Sequence, residues 1–109
     1  MSNTEKNILI ELSKLTKKWA VRHQSYECAA QSRDLEKYLE RSDCFSDSAE
    51  EFFNKIKIIF DTLGKINQVD QEYLDIQEKF ELQKNYIFRQ LRRQDLLDKL
   101  FEDNNDKIN

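Results

Sequence analysis

The stretch SAEEFFNKIKIIFDTLG, residues 48–64, contains the signals that decide the fold. Ser48 followed by Glu51 is typical of a capping box, in which the serine hydroxyl and the glutamate carboxylate each accept a hydrogen bond from a free backbone N–H at the start of a helix. Apolar residues then recur every three or four positions, which places them on one helical face. These residues are Phe52, Ile56, Ile59 and Leu63, with Phe53 and Phe60 beside them. The stretch therefore predicts an amphipathic helix.

The end of this helix depends on Gly64, the only glycine in the chain. Glycine readily adopts the left-handed conformation that ends many helices, and a glycine inside a helix costs about 1 kcal/mol relative to alanine. We therefore expect a break between Gly64 and Asn67, followed by a last helix from near Asp70 to Phe101. Without the break, the two segments would form a single long helix. The apolar stripe of the last helix contains Val69, Tyr73, Ile76, Phe80, Ile87 and Leu91.

The segment before residue 41 has the spacing of a first helix, with Thr4 as its predicted N-cap. After Ala30 the apolar face changes sides, because Leu35 lies about half a turn from Ile8 at roughly 100° per residue. Either the helix breaks near Ser32, or one long helix has two apolar seams. The first seam contains Ile8, Leu12, Leu15, Trp19, Tyr26, Ala29 and Ala30. A weaker stripe favours the long helix and contains Ile10, Val21, Cys28 and Leu35.

These elements predict an all-α fold, either an antiparallel three-helix bundle or a long helical hairpin, with coiled-coil-like packing. The absence of proline and the single glycine support this class, because the turns of β-proteins depend on these two residue types. We expect one helical-bundle domain at residues 1–101 and a disordered acidic tail at residues 102–109. The aromatic residues expected in the core are Phe52, Phe53, Phe60, Tyr73 and Phe80.

The composition restricts the location and the chemistry of the protein. A net charge of −3 argues against binding to duplex nucleic acid, which usually requires an excess of basic residues. The apolar run near the N-terminus is too short for a signal peptide or a membrane span, so we expect a cytoplasmic protein with no membrane partner. Cys28 and Cys44 have no CxxC partner, and in a reducing compartment both are expected to be small buried hydrophobic residues.

No residue pattern indicates catalysis or a cofactor. The single histidine, His23, excludes a multi-histidine metal site, and together with Glu27 it supplies at most two ligands. The chain contains neither a glycine-rich phosphate loop nor an EF-hand loop. We therefore predict a protein that is not an enzyme and that uses no metal and no cofactor.

Charged residues are arranged in blocks along the chain. Two basic blocks alternate with acidic segments at residues 34–51, 61–81 and 95–106. In one interpretation, neighbouring antiparallel helices set opposite charges side by side. In a second, a basic block docks an acidic partner, and in a third the later block contacts nucleic acid. The first block is Lys14, Lys17, Lys18 and Arg22, and the second is Lys84, Arg89, Arg92 and Arg93.

The last apolar residues form a patch whose centre points away from the preceding stripe. In one interpretation this patch folds onto the bundle and belongs to the core. In the other, it is a helix that docks into a groove, or a movable flap over a partner site. The patch consists of Leu96, Leu97, Leu100 and Phe101, and with Arg89, Arg92 and Arg93 it is the predicted partner-binding set.

This layout resembles that of the flagellar type III export chaperones, in particular the chaperones of the filament-cap protein. The stretches RDLEKYLER at residues 33–41 and INQVDQE at residues 66–72 carry the resemblance, together with a last helix in which acidic and apolar residues alternate. The resemblance implies a cytosolic helical-bundle chaperone that shields an aggregation-prone segment of an export substrate and delivers it to the export machinery. It also implies that the C-terminal helix, which carries the patch at residues 96–101, regulates access.

We therefore predict a non-enzymatic binding protein, a small cytosolic chaperone or adaptor that holds a partner helix in an apolar groove. The predicted partner is a helical segment of another protein, and a homodimer is an open alternative. A structural subunit of a self-associating or larger helical assembly is the alternative function from a different class. A nucleic-acid-binding regulator is the second alternative.

Overall fold

Four α-helices make up the regular structure of the described residues. In this computed structural model the backbone is described at residues 1–41 and 48–108, and the side chains at residues 1–41, 48–88, 99 and 100. The predicted all-α class is confirmed. The helices are α1 (Asn3–Arg22), α2 (Tyr26–Arg41), α3 (Ala49–Ile66) and α4 (Gln71–Ile108).

The first predicted helix is divided in two, so there are four helices rather than three. The chain turns at residues 23–25, where Gln24 has a φ of 59° and lies in the left-handed region. The Ser25 N–H closes this turn by donating to the carbonyl of Ala20 at 2.8 Å. Both alternatives predicted for this segment were wrong. The helix does not break near Ser32, which is fully buried inside α2. It is not continuous either, because α1 ends at Arg22 and α2 begins at Tyr26.

The predicted starts of two helices also need correction. The N-cap of α1 is Ser2 and not Thr4. Ser2 and Glu5 form a capping box, in which the Glu5 N–H donates to Ser2 Oγ at 3.2 Å and the Ser2 N–H donates to Glu5 Oε1 at 3.0 Å. At α3 the N-cap is Ser48, as expected, but its side chain makes no capping hydrogen bond.

The predicted break after α3 is confirmed, although Gly64 does not cause it. Gly64 lies inside α3 without a positive φ, and Asn67 is the C-cap residue. What Gly64 provides is space, because the ring of Tyr73 occupies the position next to it where a Cβ would be. The Tyr73 hydroxyl donates to the carbonyl of Phe60 at 2.9 Å, which holds the start of α4 against α3.

The core lies where α1 and α3 face each other between α2 and α4. Trp19, Leu9 and Leu12 of α1 belong to the same buried cluster as the aromatic stripe of α3 and α4, whose predicted burial is confirmed. Within that stripe, the Phe60 ring stacks on Tyr73 with centroids 4.1 Å apart. Its centroid lies 4.7 Å from that of Phe80. Three residues assigned to apolar stripes from the sequence, Val21, Tyr26 and Val69, are exposed.

Helix α4 is much longer than the helices it packs against. It has 38 residues and is about 57 Å long at a rise of about 1.5 Å per residue. Ile87 is buried and the Phe88 ring lies 5.7 Å from that of Phe53, whereas Leu100 is 58% exposed. The boundary expected between the bundle and the tail, at residues 101 and 102, falls within α4. The side chains of these two residues lie outside the described residues.

Candidate functional site

An apolar groove opens on the surface between α2 and α3. It encloses about 660 Å³. Leu35 and Tyr38 of α2 face Phe52, Ile58 and Ile59 of α3 across it. The complete lining consists of Gln31, Asp34, Leu35, Tyr38, Glu51, Phe52, Lys55, Ile58 and Ile59.

The floor and the walls of the groove differ in exposure. Phe52 and Ile59 are buried and form the floor, while Ile58 is 65% exposed and Tyr38 is 50% exposed on the walls. The Tyr38 and Phe52 rings stack with centroids 5.6 Å apart, and this contact joins the two helices at one end of the groove. Lys55 extends over the Phe52 ring, with Nζ 5.4 Å from the centroid. Apolar side chains thus remain accessible in a concave surface.

Two carboxylates lie on opposite walls of the groove. Asp34 belongs to α2 and Glu51 to α3, and both are exposed. Asp34 pairs with Arg33, which does not line the groove and whose Nε is 3.8 Å from Asp34 Oδ1 in a solvent-exposed pair. Such an exposed pair contributes little to stability. Lys37 and Arg41 lie beyond the Tyr38 end of the groove.

The basic block of α1 is used within the bundle. Lys17 Nζ lies 2.8 Å from a carboxylate oxygen of Glu36, whose side chain is only 9% exposed. Lys14 is 3.9 Å from the same carboxylate and 3.8 Å from Glu40. Arg22 pairs with the carboxylates that begin α4. The expectation that neighbouring helices set opposite charges side by side is therefore confirmed for Lys14, Lys17 and Arg22.

Asp70 connects the end of α1 to the start of α4. Hydrogen bonds from Trp19 Nε1 at 2.9 Å and from the Tyr73 N–H at 2.8 Å stabilise the carboxylate and lower the pKa of Asp70 below the usual range. His23 and Arg22 contribute to the same shift, with His23 Nε2 at 3.3 Å. Asp70 is the residue that caps α4, and this cluster is structural. Among the described side chains, no group of three or more acidic, histidine or cysteine residues could hold a metal ion.

The predicted partner-binding residues all belong to α4, and one of them has a described side chain. Leu100 is exposed, so at this position the patch is not covered by the bundle. The side chains of Leu96, Leu97, Phe101, Arg89, Arg92 and Arg93 lie outside the described residues. The same holds for Cys44, whereas Cys28 is buried as predicted, and this burial raises the pKa of its thiol.

An apolar groove is predicted from the sequence, but its position between α2 and α3 is not, although one residue signalled it. Ile58 lies outside the apolar stripe of α3 that is centred on Ile56, and a large apolar residue on the wet side of a helix indicates a second contact surface. Leu35 and Tyr38 on α2 are a similar signal. The change of apolar face at Leu35 is visible in the sequence, but the helix that this face meets is not, because the distance between α2 and α3 is not encoded in either helix alone.

Comparison of the chain with protein-family models, curated proteins and solved structures found no match. Within the described parts of the chain, none of the helices is both long enough and apolar enough to cross a membrane.

Proposed function

We propose that this chain is a non-enzymatic protein-binding module, a small cytosolic chaperone or adaptor whose groove between α2 and α3 holds an amphipathic helix of a partner protein. The observation that carries this proposal is the exposure of Ile58 and Tyr38 in one concave surface with a buried apolar floor. Contiguous exposed apolar surface in a concave site is typical of protein-binding surfaces.

The dimensions of the groove suit a short helical segment. Along α2, the lining extends from Gln31 to Tyr38, which is about 10 Å or two helical turns. A partner helix would place two or three apolar side chains at three- and four-residue spacing into this length. A few such anchors supply most of the binding energy in many interfaces.

The rim of the groove adds a preference for charge. Asp34 and Glu51 stand on opposite walls, so a helix with arginine or lysine beside its apolar stripe would meet a carboxylate on either side. Charge complementarity of this kind increases the association rate and the specificity more than the affinity. The chaperone role is proposed ahead of other binding roles because the sequence resembles the flagellar export chaperones.

Capture from an extract of the source cells tests this proposal. The wild type is compared with Ile58→Asp in the groove and with Ile66→Asp, a matched control on the same helix that is 61% exposed and does not line the groove. We expect a set of proteins retained by the wild type and by Ile66→Asp and lost with Ile58→Asp. If Ile58→Asp retains the same proteins while circular dichroism shows both variants folded, the groove is not the binding site.

A second candidate function is supported by a different observation. Helix α4 continues far beyond Phe88, the last described residue that packs on the core, and Leu100 near its end is exposed. A long helix with an exposed apolar face suits a structural subunit that associates with copies of itself or with other helices. Light scattering separates the two candidates, because a monomer at all concentrations is incompatible with obligate self-assembly.

A further inference from the structure

The two walls of the groove between α2 and α3 belong to helices that run antiparallel. Tyr38 near the end of α2 stacks on Phe52 near the start of α3, with centroids 5.6 Å apart. Where α3 ends and α2 begins, Asn67 Nδ2 donates to Ser25 Oγ at 2.9 Å. Starting from the pair of Tyr38 and Phe52, a rise of about 1.5 Å per residue therefore shows which residues of the two walls lie at the same level.

At the level of Tyr38, the groove is basic on the side of α2 and acidic on the side of α3. Lys37 and Arg41 lie on either side of Tyr38 along α2 and line a second hollow of about 390 Å³. This hollow adjoins the groove, because Asp34 and Tyr38 line both. Glu51 lies on the opposite wall, about 1.5 Å from this level along α3.

About one helical turn away, the signs on the two walls are exchanged. Asp34 lies about 6 Å from Tyr38 along α2, and Lys55 lies about 4.5 Å from Phe52 along α3. Here the side of α2 is acidic and the side of α3 is basic. Lys55 Nζ lies over the Phe52 ring, 5.4 Å from its centroid, and not on a carboxylate.

These wall charges are not compensated within the bundle. All five are exposed. Within the part of the chain that the structure describes, four of them form no ion pair, namely Lys37, Arg41, Glu51 and Lys55. The fifth, Asp34, has there only its exposed pair with Arg33. An occupant that covers the walls is therefore favoured if it brings the opposite sign to each charge, because covering an unpaired charge is unfavourable.

We propose that the partner helix carries one basic and one acidic residue on each flank of its apolar stripe, in opposite order on the two flanks. On the flank that faces α2, a basic residue meets Asp34 and an acidic residue one turn away meets Lys37 and Arg41. On the flank that faces α3, an acidic residue meets Lys55 and a basic residue meets Glu51. This inference rests on the proposed function of the groove and specifies the chemistry of the helix that it holds.

The spacing and the symmetry of the wall charges suit a helix as occupant. Glu51 and Lys55 are four residues apart, so the matching charges of the partner are also about one turn apart, and opposite charges at that spacing stabilise a helix. Turning the partner end for end exchanges its ends and its flanks together, and the same order of charges results. A helix with the wrong order therefore meets like charges in either direction and is excluded.

Two synthetic helical peptides of equal composition and net charge test this proposal. Both carry a leucine stripe at three- and four-residue spacing. One has lysine and glutamate in the order given above, and in the other every lysine and glutamate is exchanged. Fluorescence anisotropy should give dissociation constants for the wild type that differ at least about 10-fold, because several rim pairs act together. The difference should shrink at about 1 M salt, where the Debye length is about 3 Å, and Ile58→Asp should weaken the binding of the preferred peptide.

Reversal of the wall charges should exchange the preference for the two peptides. The reversed variant carries Asp34→Lys, Lys37→Glu, Arg41→Glu, Glu51→Lys and Lys55→Glu. A milder variant, Asp34→Asn with Lys55→Gln, should reduce the preference of the wild type to about 3-fold. Circular dichroism verifies the helical content of both variants. If the reversed variant is unfolded, the milder variant decides, and an unchanged preference there overturns the proposal.

The control exchanges two charges outside the groove. Glu78→Lys with Lys79→Glu changes exposed positions on α4 that do not line the groove, and it should keep the preference of the wild type. A control that loses the preference would assign the effect to the general field of the molecule and overturn the role of the walls.

The outcomes separate this inference from the proposed function. Equal binding of both peptides by the wild type overturns the order of charges and leaves the groove as a site for helices. A preference that the folded reversed variant keeps overturns the inference in the same way. If neither peptide binds at up to about 1 mM, the groove holds no helix, and the proposed function fails together with the inference.

Discussion

Replacing Gly64 with alanine is expected to destabilise the protein, although the same change inside most helices stabilises it. A Cβ added at Gly64 would lie 2.6 Å from Cζ and 3.3 Å from Cε1 of Tyr73. Carbon atoms in good contact are about 3.5–4.0 Å apart. The Tyr73 ring would have to move, but it is stacked on Phe60 with centroids 4.1 Å apart and is held by its hydroxyl.

The magnitude follows from three contributions. Forcing an extra methyl group into packed surroundings costs about 1–3 kcal/mol. Movement of the Tyr73 ring also breaks the hydrogen bond from its hydroxyl to the carbonyl of Phe60, which is worth about 1 kcal/mol. Alanine recovers about 1 kcal/mol of helix propensity relative to glycine. We therefore expect Gly64→Ala to lower the free energy of unfolding by about 1–3 kcal/mol.

Urea denaturation measures this loss with two probes. Circular dichroism reports the helices, and the fluorescence of Trp19, the only tryptophan, reports the ring cluster, because Trp19 and Tyr73 have centroids 5.0 Å apart. Lys65→Ala, at an exposed neighbouring position, is the control and should change the free energy of unfolding by less than about 0.5 kcal/mol. In a Tyr73→Phe background the ring is no longer held by its hydroxyl, so the effect of Gly64→Ala should shrink. A Gly64→Ala protein more stable than the wild type would refute the close approach of these residues.

Three further changes have expected outcomes. The pKa of Asp70 is lowered in the folded protein. The ionised carboxylate therefore stabilises the fold above the ordinary aspartate pKa, and this stabilisation is lost as the pH falls towards the pKa of the folded state. Asp70→Asn, which keeps an oxygen acceptor, should therefore show a smaller loss of melting temperature between about pH 6 and about pH 3. Lys17→Met removes the closer cation from the nearly buried carboxylate of Glu36 and should cost about 1–2 kcal/mol in urea denaturation, whereas no change would mean that Lys14 alone suffices. Cys28 is buried and the pKa of its thiol is raised. In a Cys44→Ser background, iodoacetamide should therefore modify Cys28 in denaturant and hardly at all in the native protein.

The sequence predicted the elements whose signals are local. The apolar faces of α3 and of the first half of α4 follow from helical periodicity, and their burial is confirmed. The turn between α1 and α2 was misplaced because Gln24 adopts a left-handed conformation without the glycine or asparagine that usually marks such a position. Gly64 was assigned to a helix end because its packing against Tyr73 is a tertiary contact. The position of the groove escaped prediction for the same reason, since it depends on the separation of two helices and not on either one.

Charge pairing separates the surfaces that build this bundle from the surface that is open to a partner. Lys17 and Arg22 of α1 are paired with carboxylates of α2 and α4, so these charges are already compensated where helices meet. Glu51 on the wall of the groove has no ion pair within the described residues. A partner that covers this wall would remove water from the carboxylate, and that is unfavourable unless the partner brings a cation. The groove should therefore prefer helices with arginine or lysine beside their apolar stripe. Because exposed rim charges are screened by salt, the association rate should fall as ionic strength rises, while the dissociation rate changes little.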